Sequence, residues 1–332
     1  MNILVTGATG FLGGHLVEYL VANNHEVICM IRKTSNTKLL DELGVETRIG
    51  DLGDPYSMKS VVKNVELTYH LGSYYTFLGK KEYYVKYNEL GVKALLEACE
   101  DAGVARFIYC SSAEAVGAVP FCETIQDYAT EEAPYNPQYE YGRSKVRTEK
   151  IVKDYNSEID WTILRPTGVY GPRNFDDVAY WLIEALAKNK ISVWFRVRNS
   201  GTIHFTYIDD VIQGFDLARK EVAKNQIFNI ASDTAKSVDE VMQVICYILG
   251  RKLPRFALPK LFLKSVVVPI QVFNAIRGKP EFFLRTAAVD SVSQHRCYSN
   301  QKAKDLLGFA PKYDIETGLT KTINWYKENE IL

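Results

Sequence analysis

Short apolar runs alternate with longer amphipathic segments along the first half of the chain. The runs with the length and composition of β-strands cover residues 2–6, 26–31, 45–50, 67–71, 106–112, 161–166 and 227–232. Residues 11–24 and 88–103 instead repeat apolar positions three and four apart, which is the period of a helix. Alternating strands and helices predict a parallel sheet covered on both faces, and strands that are apolar throughout suit that burial.

The pattern changes after about residue 166. Helical stretches such as 176–189 then alternate with loops, and residues 236–332 are mostly helical in pattern. We therefore predict an α/β fold: a doubly wound parallel sheet with a smaller, mostly helical C-terminal domain. The first domain is expected to comprise residues 1–165 plus about 206–233, and the second about 166–205 plus 234–332.

Composition excludes some classes of function. The 332 residues carry 40 basic and 40 acidic side chains, so bulk charge gives no reason to expect nucleic-acid binding. No charged segment followed by a long apolar run marks a signal peptide, and we expect a cytoplasmic protein. The cysteines have neither metal-ligand nor CxxC spacing, so we predict reduced thiols and no metal site. They stand at positions 29, 99, 110, 122, 246 and 297.

A glycine cluster, TGATGFLG at residues 6–13, lies where the first strand should turn into the first helix. Gly7 suits the tight turn, Gly10 allows backbone N–H groups to approach a ligand, and Gly13 allows the helix to lie near the strand. The free N–H groups of a helix N-terminus attract a pyrophosphate. This loop, which includes Thr9, Phe11 and Leu12, is therefore predicted to bind a dinucleotide.

The end of the second predicted strand bears on the choice of dinucleotide. An acidic residue there would hold the ribose 2′-hydroxyl of NAD, but this chain has Arg32 and Lys33. Two cations suit the 2′-phosphate of NADP, so we predict that NADP is preferred, with NAD possible. After the third strand, Asp51 and the adjoining Leu52 are candidates for contacts with the adenine end.

Candidate reacting groups follow further along the chain. Tyr141 and Lys145 are four residues apart, so on a helix they share one face. A cation about 4 Å from a phenol can lower its pKa by several units when an oxidised nicotinamide adds its charge, which would make Tyr141 an acid/base at neutral pH. Ser112 ends the strand at 106–112, on the sheet edge where ligands of parallel sheets bind, and could hydrogen-bond a substrate carbonyl.

Taken together, these motifs resemble the extended branch of the short-chain dehydrogenase/reductase superfamily, the NAD-dependent epimerase/dehydratase proteins. The resemblance runs nearly end to end and rests on TGATGFLG at 6–13, GDL at 50–52, YNELG at 87–91, SSAEAVG at 111–117, YGRSK at 141–145, LRPTGVYGP at 164–172, YIDDV at 207–211 and HRCYSNQKAKDLLGFAP at 295–311. It implies a Rossmann sheet as the dinucleotide-binding domain and a second domain that binds the substrate.

The resemblance also implies roles for individual residues. Tyr141 would be the acid/base, Lys145 would lower its pKa and hold the nicotinamide ribose, and Ser112 would orient the reacting oxygen. The positions where this family lines its cofactor site are Leu71, Ser73, Asn88, Pro166 and Val169. Family members often form homodimers through two helices per subunit, here those holding 88–103 and 141–156.

Several reactions share this machinery. Ala113 stands where 4,6-dehydratases have an aspartate, although Glu114 matches their pattern. We favour a dehydrogenase or reductase, because SSAEAVG is similar to the 3β-hydroxysteroid dehydrogenase pattern and VICMIRKTSN resembles the dihydroflavonol reductase turn. A nucleotide-sugar 4-epimerase that retains NAD is the alternative, and an NADP-sensing regulator without activity is a second one.

The second domain bears on the class of substrate. Residues 256–276 are strongly apolar and could line a pocket for a hydrophobic sterol-, flavonoid- or lipid-like substrate, rest on a membrane surface, or pack as core. Its most apolar part, residues 256–273, is interrupted by two lysines and two prolines and is too short to span a bilayer. Basic side chains that could instead bind a sugar-nucleotide diphosphate are Arg173, Arg196, Arg198 and Arg285.

Overall fold

The structure is a computed structural model that describes residues 1–76, 79–155, 158–190, 195–277 and 286–332. The strands within these ranges are β1 (Asn2–Thr6), β2 (Glu26–Ile31), β3 (Glu46–Ile49), β4 (Leu67–His70), β5 (Arg106–Cys110), β6 (Asp160–Pro166), β7 (Gly168–Tyr170), β8 (Phe195–Val197), β9 (Thr202–Ile203), β10 (Phe205–Tyr207), β11 (Gln226–Ile230), β12 (Lys236–Ser237) and β13 (Phe256–Leu258). The α-helices are α1 (Phe11–Ala22), α2 (Lys38–Leu43), α3 (Met58–Val61), α4 (Lys81–Tyr84), α5 (Gly91–Asp101), α6 (Glu140–Asp154), α7 (Val178–Ala187), α8 (Ile208–Leu217), α9 (Val238–Ile248), α10 (Lys260–Ile276), α11 (Thr286–Ser291) and α12 (Ile315–Glu328).

The central sheet has seven strands in the order β11-β6-β5-β4-β1-β2-β3, and every neighbouring pair is parallel. This confirms the predicted α/β fold with a doubly wound parallel sheet. Each of the seven strands lies where a strand was predicted, with ends that differ by one or two residues.

The strand order reverses between β1 and β4. From β1 the chain runs outward to β2 and β3, then returns to place β4 on the other side of β1. The crevice beyond the carboxyl ends of the strands at such a reversal is where open parallel sheets bind ligands. The register aligns Thr6 of β1 with Met30 of β2 and with His70 of β4, so the segments after these strands begin side by side.

Alternate residues of β1 fill the cores on the two faces of the sheet. Ile3 and Val5 pack in the cluster that includes side chains of α1 and α8, whereas Leu4 packs with side chains of α3 and α5 on the other face. All three are fully buried. A strand covered on both faces can keep no polar face, which is why the apolar runs identified the sheet so well.

The rest of the chain packs beside the carboxyl edge of the sheet. Three two-stranded sheets, β7 with β10, β9 with β12 and β8 with β13, join segments far apart in sequence. The segment after α11 returns to the sheet domain, where His295 pairs with Val119 and Tyr298 with Ala129. The two-domain division of the chain stays a prediction.

The cysteine prediction is wrong at two positions. Cys122 and Cys297 form a disulfide whose Cα atoms are 6.3 Å apart. They are 175 residues apart in sequence, and they meet because the returning segment lies against the loop around Val119. Spacing along the chain could not reveal a pairing that depends on this return. Cys29, Cys99, Cys110 and Cys246 are free thiols and buried.

In the described ranges, we find no helix whose length and apolar character would allow it to cross a membrane.

Candidate active site

The predicted glycine turn connects β1 to α1. Gly7 has φ of +72°, and a Cβ there would lie 2.7 Å from the backbone nitrogen of Gly72. A Cβ at Gly13 would lie 2.1 Å from the carbonyl oxygen of Gly7, so neither position accepts a side chain. Gly10 caps α1 and offers no side chain to its first N–H groups. Gly10 and the preceding Thr9 are exposed, while Phe11 and Leu12 are partly buried. This turn fits a pyrophosphate bound on backbone N–H groups.

The ends of the next two strands carry the predicted adenosine contacts. Arg32 and Lys33 follow β2 and are exposed, and neither enters an ion pair with another described residue. Asp51 follows β3, where one of its carboxylate oxygens accepts a hydrogen bond from the backbone N–H of Gly53 at 2.7 Å. The side chain of Leu52 is buried. Asp51 therefore forms a local turn and has a second carboxylate oxygen for a ligand.

Leu71 and Ser73 follow β4 and are partly buried beside the glycine turn. The backbone N–H of the intervening Gly72 donates to Thr6 Oγ1 at 3.0 Å, which holds this segment against β1. Asn88 is buried, and its side chain accepts from the Tyr74 N–H at 2.7 Å and donates to the Tyr74 carbonyl at 3.1 Å. The described contacts of Asn88 thus fix the segment after β4.

The three candidate reacting residues meet at the carboxyl end of β5. Ser112 follows that strand and lines the same cavity as Tyr141, which lies in the first turn of α6, and the Ser112 side chain is close enough to the phenol to affect its pKa. Lys145 lies one turn further along α6. Its ammonium donates to the Cys110 carbonyl at 2.7 Å and lies 5.6 Å from the centre of the Tyr141 ring. The predicted Ser–Tyr–Lys arrangement is therefore compact.

Burial controls the pKa values of this trio. It raises the pKa of Tyr141 above its ordinary value, and the nearby Ser112 hydroxyl, which favours the phenolate, only partly opposes that shift. Burial also lowers the pKa of Lys145. In the protein alone, the pKa of Tyr141 is thus shifted in the direction opposite to the one expected from Lys145 and an oxidised nicotinamide. The expected lowering depends on the charge of that ring and stays a prediction.

A buried ion pair fixes α6 to the sheet behind the reacting residues. Arg165 of β6 and Glu149 of α6 are almost fully buried, with a nitrogen–oxygen distance of 2.7 Å. Glu149 also accepts hydrogen bonds from the Ser111 hydroxyl at 2.5 Å and the Tyr135 hydroxyl at 2.7 Å. Because Ser111 precedes Ser112, the network sets the position of α6 relative to the end of β5.

The cavity above Ser112 and Tyr141 contains polar residues that the sequence did not identify. Arg296 bonds through its Nε to one oxygen of Glu114 at 3.0 Å, and the other oxygen of Glu114 is buried without a hydrogen bond to any described residue. Asp177 caps α7 and faces the same cavity, and burial raises its pKa to about 7. The pattern had drawn attention to Glu114, but nothing in the spacing linked it to Arg296 or Asp177.

The walls of the cavity are largely apolar. They include the predicted Pro166, the last residue of β6, and the predicted Val169 of β7, together with Leu12 of the glycine turn. Tyr75 also lines the cavity, and its ring meets the Tyr141 ring edge-on at 4.9 Å. Further apolar side chains on the walls are Val178, Ile203, Phe205, Val238 and Val292. The cavity therefore extends from the glycine turn, past Ser112 and Tyr141, to a region lined by apolar side chains.

This arrangement suits proton transfer at one oxygen atom. Ser112 and Tyr141 can both hydrogen-bond an oxygen placed between them, and the phenol can donate or accept the proton of that oxygen. The cation of Lys145 favours the phenolate when the proton leaves. A nicotinamide held beside Tyr141 would supply or accept the hydride.

Comparison with known proteins agrees with this site. The family model described as "NAD dependent epimerase/dehydratase family" matches residues 3–231. A putative UDP-glucose 4-epimerase of Methanocaldococcus jannaschii is 29% identical, over 98% of this chain and 99% of its own. A decarboxylating sterol-4-alpha-carboxylate 3-dehydrogenase of Bos taurus is 28% identical, over 96% and 90%. The crystal structure of gox2253 has a TM-score of 0.83 and 25% identity, and the match covers 99% of each chain.

Proposed function

Because the chain belongs to the NAD dependent epimerase/dehydratase family, the extended short-chain dehydrogenases/reductases, we propose that it oxidises a secondary alcohol or reduces a ketone of a hydrophobic substrate. The observation that carries the proposal is the grouping of Ser112 and Tyr141 in the wall of one largely apolar cavity, with the Lys145 ammonium 5.6 Å from the centre of the Tyr141 ring. Tyr141 exchanges the proton of the substrate oxygen, Ser112 orients that oxygen, and Lys145 stabilises the phenolate.

The charges in the cavity support an uncharged, hydrophobic substrate. Among the described lining residues, Arg296 has the one cationic side chain, and it is already paired with Glu114. His204 also lines the cavity, but burial lowers its pKa to about 4, so it is neutral at pH 7. Glu114 and Asp177 add acidic groups. A diphosphate would therefore meet more negative than positive charge.

Two of the four arginines that could have bound a diphosphate are paired with carboxylates. Arg173 is paired with Glu18, and Arg196 is paired with Asp239. Arg198 is exposed, without an ion pair in the described part of the chain, and Arg285 lies outside the described residues. These pairings favour the hydrophobic substrate over a sugar nucleotide. The sterol dehydrogenase relative acts, by its name, on a sterol carboxylate, which is hydrophobic although it carries one acidic group.

A nucleotide-sugar 4-epimerase that retains NAD is the second candidate. The observation in its favour is the similarity to the Methanocaldococcus jannaschii protein, whose identity to this chain matches that of the sterol enzyme. An epimerase returns the hydride to its substrate and has no need to release its cofactor, whereas a dehydrogenase or reductase exchanges the cofactor in every turnover.

Cofactor content separates the two candidates. The protein is purified without added nicotinamide cofactor and denatured, and the released NAD and NADP are quantified. We expect substantially less than one dinucleotide per chain, followed by turnover of hydrophobic ketones or secondary alcohols with added cofactor. Near-stoichiometric NAD together with UDP-glucose epimerisation would establish the second candidate instead.

We propose further that NADP is preferred over NAD. Arg32 and Lys33 support this, because they are exposed, unpaired among the described residues, and one strand away from the glycine turn. No acidic residue stands between Glu26 and Asp41 to hold a ribose 2′-hydroxyl. Both cations would neutralise the 2′-phosphate.

Replacement of both cations, Arg32→Ala with Lys33→Ala, tests the preference. We expect the Kd for NADPH to rise about tenfold, which corresponds to about 1.4 kcal/mol of lost charge-assisted contact, with little change for NADH. Fluorescence titration measures both constants. Lys38→Ala, on the exposed start of α2, is the control and should change neither. An unaltered protein that binds NADH more tightly than NADPH would contradict the preference.

We also propose a cytoplasmic homodimer that associates through α5 and α6. The support is analogy with the family and the exposure of Leu90 next to α5, whose side chain is 57% accessible. Sedimentation of the purified protein and of Leu90→Glu tests the assembly, and we expect the variant to dissociate more readily.

A further inference from the structure

The outer side of α10 has the opposite character from that of an ordinary surface helix. Its exposed residues form two adjoining rows, at positions 261, 265, 268 and 272 and at 262, 266, 269 and 273, and none of them is charged. We call the large ones the apolar face of α10: Leu261, Phe262, Val266, Val268, Val272 and Phe273. Leu261 is 80% exposed, and Phe262 and Phe273 are each 56% exposed. A helix bordered by water on that side would present polar residues there.

The two lysines and the glutamine of α10 bond to residues of α11 instead. Lys260 and Lys264 both pair with Asp290 of α11, at 2.9 and 2.7 Å. Gln271 accepts a hydrogen bond from the Thr286 N–H at 3.0 Å. Val267 is 5% exposed and packs with Val197 and Val289. The helix is therefore anchored to the protein through its inner side, and its apolar face is held outward by these contacts.

The charges around the apolar face favour an anionic partner. Residues 251–277 contain no acidic side chain. Arg251, Lys252 and Arg255 precede the helix, Arg277 follows it, and all four are exposed without an ion pair among the described residues. A second copy of the chain on this face would bring these cations against their equivalents. An anionic bilayer would receive the apolar side chains and pair its headgroups with the cations, at about 1 kcal/mol for each cation near the surface.

We propose that the apolar face of α10 docks the protein on the surface of an anionic lipid bilayer. The helix lies in the plane of the headgroups, with its aromatic and aliphatic side chains among the upper acyl carbons. The docking is inferred from α10 and the cations that flank it, and it does not depend on the proposed function. Its consequence for the substrate rests on the proposed function: Val292 packs against the Val267 cluster and also lines the catalytic cavity, so docking places a cavity wall one helix away from the lipid.

Vesicle binding tests the proposal without any substrate. The protein is sedimented with vesicles of phosphatidylcholine containing roughly 30 mol % phosphatidylserine, and with phosphatidylcholine alone. We expect binding to the anionic vesicles that weakens as salt is raised. Phe262→Ser with Phe273→Ser should lower the partition coefficient at least tenfold. The control, Val222→Ser with Leu306→Ser, removes two exposed apolar side chains elsewhere and should bind as the unaltered protein does.

Other results would overturn the docking. These are failure of the unaltered protein to bind anionic vesicles, equal binding by the Phe262/Phe273 variant, or a solution dimer that only this variant dissociates. Thermal unfolding and the Kd for NADPH should be unchanged in the variant, which separates lost docking from misfolding. If the protein binds vesicles and proves to be an epimerase, the docking is supported and the hydrophobic substrate is refuted. If it proves to be a reductase of hydrophobic substrates that does not bind vesicles, the proposed function is supported and the docking is refuted.

Discussion

In the Tyr141→Phe variant, we expect kcat to fall about 10²–10⁴-fold, the range that general acid–base groups contribute. The substitution removes only the phenol hydroxyl and leaves the ring that packs against Tyr75. The Kd of the nicotinamide cofactor should stay within about twofold, because the phenol acts on the substrate oxygen. Steady-state rates with the ketone or alcohol found as substrate, and fluorescence titration of the cofactor, measure the two effects.

Tyr155→Phe is the matched control for this result. Tyr155 follows α6 at its other end, where its hydroxyl donates to Glu100 at 2.7 Å, far along the helix from Ser112. Its removal should leave kcat unchanged. If Tyr141→Phe retained more than about a tenth of the activity, the phenol would not be the acid/base. An inactive variant that had also lost cofactor binding would point to disruption of the site instead.

The second large effect concerns stability. Arg165→Met should lower the free energy of unfolding by about 3–5 kcal/mol, because it leaves the carboxylate of Glu149 buried without its cation. Glu149 is fully buried, and its bonds from Ser111 and Tyr135 cannot replace a positive charge. Urea unfolding followed by circular dichroism measures the loss.

Arg143→Met provides the comparison, because it also replaces an arginine by methionine but in an exposed ion pair. Arg143 and its partner Glu140 both lie on α6, the helix that carries Glu149. Arg143 and Glu140 are 2.9 Å apart, but the arginine side chain is 47% exposed. Such pairs contribute about 0–1 kcal/mol. Equal losses in the two variants would show that burial of the Arg165 pair does not govern its contribution. Arg165→Met with Glu149→Leu should recover part of the stability, because both buried charges are then gone.

The sheet could be predicted because each of its strands carries its own signal. A strand buried on both faces is apolar along its length. The turn after β1 adds a steric requirement, because the close backbone atoms leave room only for glycine at positions 7 and 13. The relation of Tyr141 to Lys145 could also be predicted, because one helical turn separates them. Their meeting with Ser112 required only that α6 begin at the carboxyl edge of the sheet, where β5 ends.

The other half of the cavity depends on contacts between distant segments. Glu114 meets Arg296 across 182 residues, and the disulfide joins Cys122 to Cys297 across 175. No local period records such pairs. The direction in which the pKa of Tyr141 shifts in the protein alone has a similar origin. It depends on how completely neighbouring segments bury the phenol, which the spacing of Tyr141 and Lys145 does not reveal.

The return of residues 295–298 to the sheet domain has a consequence for biosynthesis. All seven strands of the central sheet have been translated once Ile230 has been added, yet Arg296 is some sixty residues further on. At about 5–20 residues per second, the ribosome needs roughly 3–13 s to reach it. During that interval the nascent chain can assemble its central sheet before Arg296 is available to pair with Glu114 and His295 with Val119. The Arg296 side of the cavity thus forms after the sheet.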